Sequence, residues 1–272
     1  MDRMTAQTAR SPAGALLRDW RQRRHRSQLD LAIETGVSAR HLSFVETGRS
    51  KASPELLLAL AEQLQVPLRE RNSLLLAAGY APRYRQTGLD DPAMNAVRTA
   101  LERMIALHDP YPGLVIDQSW NVVLANQAAT RLASALPPHL AGPPMNVFRA
   151  CLHPDGLARV TLNFAEWAGY LLGHLDRLRA VTADPAVSEL AAEVRQYPDV
   201  VALGDWRSAA RGPEGTLLVP WRVELGGTEL SLFTTLTVFG APNDVTLAEL
   251  AVELFYPAEE KTAAFLTGAQ AR

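Results

Sequence analysis

Residues 27–51 read SQLDLAIETGVSARHLSFVETGRSK. Ser27 is placed to N-cap a helix over 28–35, in which Leu29, Leu31 and Ala32 are apolar. Gly36 follows, where the positive φ of a tight turn is cheap. Val37 is apolar, and Ser38 caps a second helix, 39–47, that stops at Gly48. In that helix Leu42 and Val45 share one face, while Ala39, Arg40, Ser43 and Thr47 share the other. One helix propped on another by a glycine turn, with a small, polar, cationic outer face, has the shape and charge to enter the major groove of duplex DNA.

The flanks agree. Upstream, LLRDWRQRRHR offers Leu16, Leu17 and Trp20 to a core and carries Arg18, Arg21, Arg23, Arg24 and Arg26. Downstream, Ser53-Pro54-Glu55 combines an N-cap, a first-turn proline and an acidic first turn. It opens a helix with Leu57, Leu60, Ala61 and Leu64 on one stripe. A fifth helical pattern, 69–78, closes at Gly79. Over residues 13–79 the pattern LR…R…SQ.DLA…GVS…LS.VE.GR resembles the lambda-repressor/Cro-type (XRE) helix-turn-helix family.

That resemblance implies roles position by position. Gln28 would touch a phosphate. Ala39, Arg40 and Phe44 would look into the groove, with Arg40 bidentate to a guanine and Ala39 or Phe44 against a thymine methyl. Ser38, His41 and Ser43 belong to the same DNA-facing surface. Thr47, Arg49 and Lys51 would sit over the backbone and fix register. Arg21 and Glu46 fall where the family places an internal ion pair. Phe44 departs from the polar residue many relatives carry, and packing against the next helix is an equal alternative.

Charge is divided along the chain. The net charge is −2, yet residues 10–85 hold 13 Lys and Arg against 7 Asp and Glu, and residues 86–272 hold 13 against 21. A basic head on an acidic body assigns nucleic-acid contact to the head. Cys151 is the only cysteine, so no disulfide forms within the chain. No apolar run is long enough for a membrane span, and the first twelve residues lack a signal-peptide core. A cytoplasmic location is therefore expected, and the resemblance implies a bacterial one.

Beyond the head, 80–91 has proline, glycine and charge without periodicity and reads as a linker. A helix then carries Met94, Val97, Leu101, Met104 and Ile105 on a stripe. Two strands, 114–117 and 120–125, flank a Gln118-Ser119 turn, and Asn126 caps a helix over 127–136. Strand, turn, strand, helix is how a PAS-type sensor fold begins. Residues 137–144 read as a proline-rich loop, 146–152 as a short helix, and 157–182 as a long helical pattern. A further helix starts at Asp184-Pro185, and 199–211 is irregular or a short helix. At 216–239 the Gly226-Gly227 turn predicts a hairpin pairing Val223 with Leu230, Trp221 with Leu232, Val219 with Thr234 and Leu217 with Leu236. Pro220 removes a ladder donor and marks an edge or bulge. Residues 247–256 alternate Leu250, Val252, Leu254 and Tyr256 with Glu249, Ala251 and Glu253, and are read as a strand although a helical stripe also fits.

PGLVIDQSWNVVLAN, CLHPDGL…NFAEW and TTLTVFGAPNDVTLAELAVELFYP resemble the ligand-binding domain of the MmyB-like regulators, a PAS-like fold. The match covers about 92–268. It implies a pocket for a fatty acid or similar lipophilic molecule behind the same helix-turn-helix. The expected fold is thus multidomain: a disordered arm (1–12), an all-α five-helix lambda-repressor-like DNA-binding head (13–79), a linker (80–91) and an α+β PAS-like ligand-binding domain (92–268).

For the pocket, Trp120, Trp167, Trp206 and Trp221 offer amphipathic rings, and Thr234 a hydroxyl on an apolar strand face. Plain core packing is the alternative for each tryptophan; for Thr234 the alternative is a good strand former bonded to a neighbour. Cys151 and His153 stand two apart, but no second His/Cys pair lies nearby in sequence, so no metal site is expected. No cofactor is expected beyond a bound lipophilic molecule. No dinucleotide, P-loop, HExxH or GxSxG pattern appears, so nothing argues for an enzyme. The reading is a homodimeric regulator of a palindromic operator, acting on an adjacent gene or its own promoter and responsive to a small lipophilic ligand. Alternatives are a haem or flavin sensor, or a ligand-binding or enzymatic body with a head that does not bind DNA.

Overall fold

The computed structural model describes residues 12–182, 184–209 and 217–268. The expected arm lies outside the described residues except for Pro12. So do the last two residues of the 199–211 stretch and the first of the hairpin. The chain divides into two compact units. One runs to Gln86 and also includes Pro242–Ala248; the other holds Thr87–Ala241 and Glu249 onward.

The first unit is built from α1 (Pro12–Arg23), α2 (Gln28–Thr35), α3 (Ala39–Thr47), α4 (Pro54–Gln63) and α5 (Leu68–Ala77). Ser27, Ser38 and Ser53 each accept a backbone N–H at the N-terminus of α2, α3 and α4. Gly36 and Gly48 end α2 and α3 in the left-handed conformation, at φ 68° and 77°. Leu17, Trp20, Leu31, Leu42, Leu57 and Leu60 are buried together, each worth about 1.5–3 kcal/mol of apolar transfer. The stretch after α5 turns back on it, Asn72 Oδ1 accepting the N–H groups of Arg83 and Tyr84 at 3.0 Å. The Val245 N–H in turn donates to the Arg85 carbonyl at 2.8 Å. Part of the presumed linker, and a segment read as body, therefore belong to this unit.

The second unit begins with α6 (Asn95–Ala106), β1 (Gly113–Ile116), β2 (Val122–Ala125) and α7 (Gln127–Ala133). Then come α8 (Pro138–Ala141), α9 (Val147–Leu152), α10 (Phe164–Thr182), α11 (Pro185–Val194), α12 (Pro198–Ala202) and α13 (Trp206–Ala209). The chain continues with β3 (Trp221–Leu225), β4 (Thr228–Val238), α14 (Val245–Glu249), β5 (Ala251–Pro257) and α15 (Glu260–Thr267), α14 falling mostly in the first unit. The strands form one antiparallel sheet in the order β2-β1-β5-β4-β3. Asn126 joins the opening elements: its Oδ1 accepts from Gly113 and Ala129, and its Nδ2 donates to the Ile105 and Tyr111 carbonyls.

Four expectations need correction. The proline-rich loop contains the turn of helix α8. The long helical pattern becomes a helix only at Phe164; Leu157–Val160 form a separate 3₁₀ turn. In the hairpin, Val223 faces Leu230 and Trp221 faces Leu232 as the turn requires, with both glycines at positive φ. The ladder stops there, however. Pro220 has no N–H, and residues 161–163 cap the outer edge of β3, with Leu162 N–H donating to the Arg222 carbonyl at 2.8 Å. Val219–Thr234 and Leu217–Leu236 do not pair; Thr234 faces Phe255 of β5 instead, and Leu217 is 96% exposed.

The fourth correction concerns β5. Leu247 lies in α14, and the strand starts at Ala251. Its two faces are both covered. α6 packs on one, and the core that includes Ala251 and Phe255 packs on the other. Glu253 shares the Phe255 face by alternation and is buried. A central strand covered on both sides loses the period that one-sided burial imposes.

Candidate nucleic-acid interface and ligand cavity

In the first unit, α3 buries Leu42 and Val45 and turns Arg40 to solvent, with Ala39, Ser43, Phe44 and Thr47 half-buried on the same side. α1 crosses α3 so closely that a Cβ at Gly14 would lie 2.4 Å from the Val45 carbonyl oxygen. Arg21 of α1 and Glu46 of α3 form a buried two-pronged pair, Nε to Oε1 at 2.6 Å and Nη2 to Oε2 at 2.9 Å. The Glu46 hydrogen bond is the main cause that raises the Arg21 guanidinium pKa, against the pull of burial. Gln28 donates to the same carboxylate at 2.8 Å. Its amide is thus part of the joint between α1, α2 and α3.

The outer face has a structure of its own. Arg40 and Arg49 both place a guanidinium over the Phe44 ring, at 5.4 and 5.9 Å from its centroid. Phe44 is a platform for two cations, a role the sequence reading did not weigh. Lys51 stands over Tyr80 at 4.6 Å, and the Tyr80 hydroxyl donates to the Ala52 carbonyl. Ser38 is occupied as the cap of α3, accepting from the His41 N–H, and Thr47 Oγ donates to the Ser43 carbonyl. Among the upstream arginines, Arg24 donates to the Leu64 carbonyl and Arg26 pairs with Glu34, so with Arg21 they act within the fold. Arg40, Arg49 and Lys51 remain exposed.

In the second unit an open apolar groove of about 360 Å³ runs past Pro110, Arg131 and Phe265. A smaller cavity of about 50 Å³ adjoins it, lined by Leu114, Met145, Cys151 and Phe255 among others. Pro112, Leu132 and Trp221 line both. Trp221 is locked by its Nε1–H donating to Thr161 Oγ1 at 3.0 Å. Of the other pocket candidates, Trp120 stacks on Phe148 and meets His174 at a tilt, and Trp167 stacks on Tyr170 and Trp221. Trp206 packs on the core near Gly173 with Arg207 over its ring. Those three are packing rings. Thr234 lies beside Tyr170 and Glu253, whose proton equilibria it influences.

Burial sets the charges here. It pushes Glu253 up to about 7, held back in part by the Thr234 hydroxyl. It pushes the Cys151 thiol up to about 12, with the Glu253 charge adding to the effect, and His174 down to about 4. Glu253 Oε2 and Trp167 Nε1 are buried without a hydrogen-bond partner. On the far side of the loop from α8 to the 3₁₀ turn, the fold brings His139 to His153 and Asp155, with donor atoms within 4.8 Å of one another. Sequence reading missed this cluster because His139 lies in the segment read as featureless loop. His153 Nδ1 already accepts the Asp155 N–H at 3.1 Å.

These two units define a class: a helix-turn-helix head in a chain with a separate α/β body that holds an apolar cavity. Residues 17–71 match the helix-turn-helix family model, and residues 97–268 match that of the MmyB-like transcription regulator ligand binding domain. The chain belongs to the MmyB-like family of transcription regulators. A search of curated proteins finds no match to it. It is a DNA-binding transcription regulator with a ligand-binding domain. No described helix is long and apolar enough to cross a membrane.

Proposed function

We propose that the protein binds an inverted-repeat operator as a homodimer, with α3 in the major groove of each half-site, and that a small lipophilic, fatty-acid-like ligand in the second unit modulates this binding. The observation that carries the reading is the exposed Arg40 on a helix whose opposite face is pinned by Arg21, Glu46 and Gln28. One recognition helix reads one half-site, and a two-fold dimer reads a palindrome. Arg40 contacts a guanine edge; Ala39, His41, Ser43 and Phe44 shape the surface around it, while Ser38 sets the start of the helix. Thr47, Arg49 and Lys51 lie along the phosphates. Gln28 reaches a phosphate only with the part of its amide not held by Glu46.

In the body, Trp221 grips the ligand where groove and cavity meet, and Thr234 stands toward the polar end. Trp120, Trp167 and Trp206 shape the walls behind. The PAS-like reading is supported by the strand–turn–strand–helix opening and by the single antiparallel sheet that three later strands complete. Ligand changes DNA affinity only by the difference in its affinity for the two arrangements of the heads.

A mobility-shift titration on the protein's own promoter at two salt concentrations tests the reading. Arg40→Ala is expected to weaken operator binding by about 1–3 kcal/mol and to relax one base position, with little change on random duplex. An equal loss on both would assign Arg40 to phosphate. Native mass spectrometry of the purified protein is expected to show a retained lipophilic mass.

A further inference from the structure

Away from the groove, the second unit gathers His139, His153 and Asp155 at one place on its surface. His153, Pro154, Asp155 and Gly156 form a tight turn directly after α9, closed by the Gly156 N–H donating to the His153 carbonyl at 2.8 Å. Gly156 is pressed on α9: a Cβ there would lie 2.4 Å from the Ala150 carbonyl oxygen. The same Cβ would lie 3.2 Å from Leu140 Cδ1, so α8 packs on this turn as well. Leu140 is buried, and the residue before it, His139, stays exposed beside His153 and Asp155. His139 Nε2 and His153 Nδ1 stand 3.8 and 3.9 Å from one oxygen, Asp155 Oδ2. One donor atom from each residue falls within 4.8 Å of the other two.

Two imidazoles and a carboxylate are the donor set of borderline divalent ions such as Zn²⁺, whereas Mg²⁺ and Ca²⁺ call for oxygen alone. The spacing suits one ion. Donors about 2.0–2.1 Å from a tetrahedral zinc stand about 3.4 Å from one another, and imidazole rings on it have centres about 5 Å apart. The His139 and His153 rings are centred 5.3 Å apart, at 69°. The two nitrogen–oxygen gaps need to close by only about 0.5 Å, which rotation of the exposed His139 and Asp155 side chains supplies. The Nδ1 of His153 accepts the Asp155 N–H at 3.1 Å, so it carries a lone pair; an ion takes that lone pair and leaves the amide to water. Behind it, the His153 ring is braced edge-on by Tyr197 at 4.9 Å, whose hydroxyl donates to Glu193. Arg149 neutralises Glu193 through hydrogen bonds of 2.8 and 2.7 Å. We propose that His139, His153 and Asp155 form a three-ligand site for Zn²⁺ or a similar borderline divalent ion, with water in the remaining positions. The ion ties α8 to the turn after α9. Leu136, Ala150, Cys151 and Leu157, which belong to or adjoin these elements, line the smaller cavity, so the ion fastens one of its walls whatever the cavity holds.

The test uses the full-length protein without a histidine tag, stripped with EDTA. It is titrated with ZnCl₂ by calorimetry and with CoCl₂ by visible absorption. One Zn²⁺ per chain is expected, competing with Co²⁺ whose visible bands report ligation by the protein. His139→Ala and Asp155→Asn, both at exposed positions and checked by circular dichroism, are each expected to weaken Zn²⁺ by about tenfold or more, since even the residues that support metal ligands are worth that much. Zn²⁺ is expected to raise the thermal midpoint of the wild-type protein and to raise it less in either variant. Zn²⁺ affinity unchanged in both variants overturns the proposal, because the ion would then sit elsewhere. Mg²⁺ binding as tightly as Zn²⁺ overturns it too, since that is the behaviour of a carboxylate without imidazole. So does the absence of saturable Zn²⁺ binding.

Discussion

Arg21 and Glu46 meet in the interior of the first unit, guanidinium against carboxylate, with the Glu46 side chain 1% exposed. The pair ties α1 to α3. Gln28 adds the third helix to the same carboxylate. The orientation of α3 is therefore set by a charged joint as well as by Leu42 and Val45.

Removing one member leaves the other buried and unpaired. Glu46→Ala is expected to cost about 3–5 kcal/mol in the stability of the first unit. Urea unfolding followed by far-UV circular dichroism checks this, and Arg21→Met with Glu46→Leu together should recover part of the loss. A loss below about 1 kcal/mol would show that the pair behaves as a solvated one.

Gly14 has a different role. An added methyl at this position would meet the Val45 and Glu46 carbonyl oxygens at 2.4 and 2.8 Å, both backbone atoms. Gly14→Ala is expected to destabilise by at least about 1–3 kcal/mol, against the small gain alanine normally brings to a helix. A thermal melt that rises in this variant would mean that α1 and α3 are farther apart than described.

Phe44 is expected to act through Arg40 and Arg49. Phe44→Leu keeps apolar volume and removes the ring, so operator affinity should fall by about 0.5–1 kcal/mol per cation released. The same variant combined with Arg40→Ala should show less than the sum of the two effects, because the ring then holds only Arg49. Simple additivity would indicate that Phe44 acts by packing alone.

Glu253 makes stability depend on pH with a definite sign. Its carboxyl is raised from 4.5 to about 7 by burial. Below the unfolded value both states are protonated and nothing is lost. As pH rises from there towards about 7, the unfolded chain releases the proton first, and stability falls by about 3 kcal/mol before levelling off. Glu253→Gln should remove this slope and be the more stable protein at about pH 8. Urea titrations at both ends of the range would show it; parallel curves for the two proteins would place the carboxyl in contact with water.

The amino-acid sequence was sufficient for everything that local chemistry determines. Ser27, Ser38 and Ser53 cap helices because a short hydroxyl beside an amphipathic run has one low-energy use. Gly36 and Gly48 end helices because a positive φ costs glycine little. The Gly226-Gly227 turn dictated its own register. The apolar stripes of α3 and α4 were legible because one side of each helix meets solvent, and the family pattern rests on those same positions.

Tertiary structure alone decided the rest. Gly14 carries no signal until another helix crosses it, and Phe44 became a cation platform only when Arg49 folded back over it. Glu253 looked like the polar side of a strand because alternation reports burial only when one face is wet; at the centre of a sheet covered on both faces, position in the layer outweighs residue type. Pairing at a distance in sequence also ended the β3–β4 ladder at Pro220, since the loop at 161–163 competes for the strand's outer edge. Local sequence encodes the conformations a segment adopts cheaply, whereas enclosure of a side chain depends on segments far away along the chain.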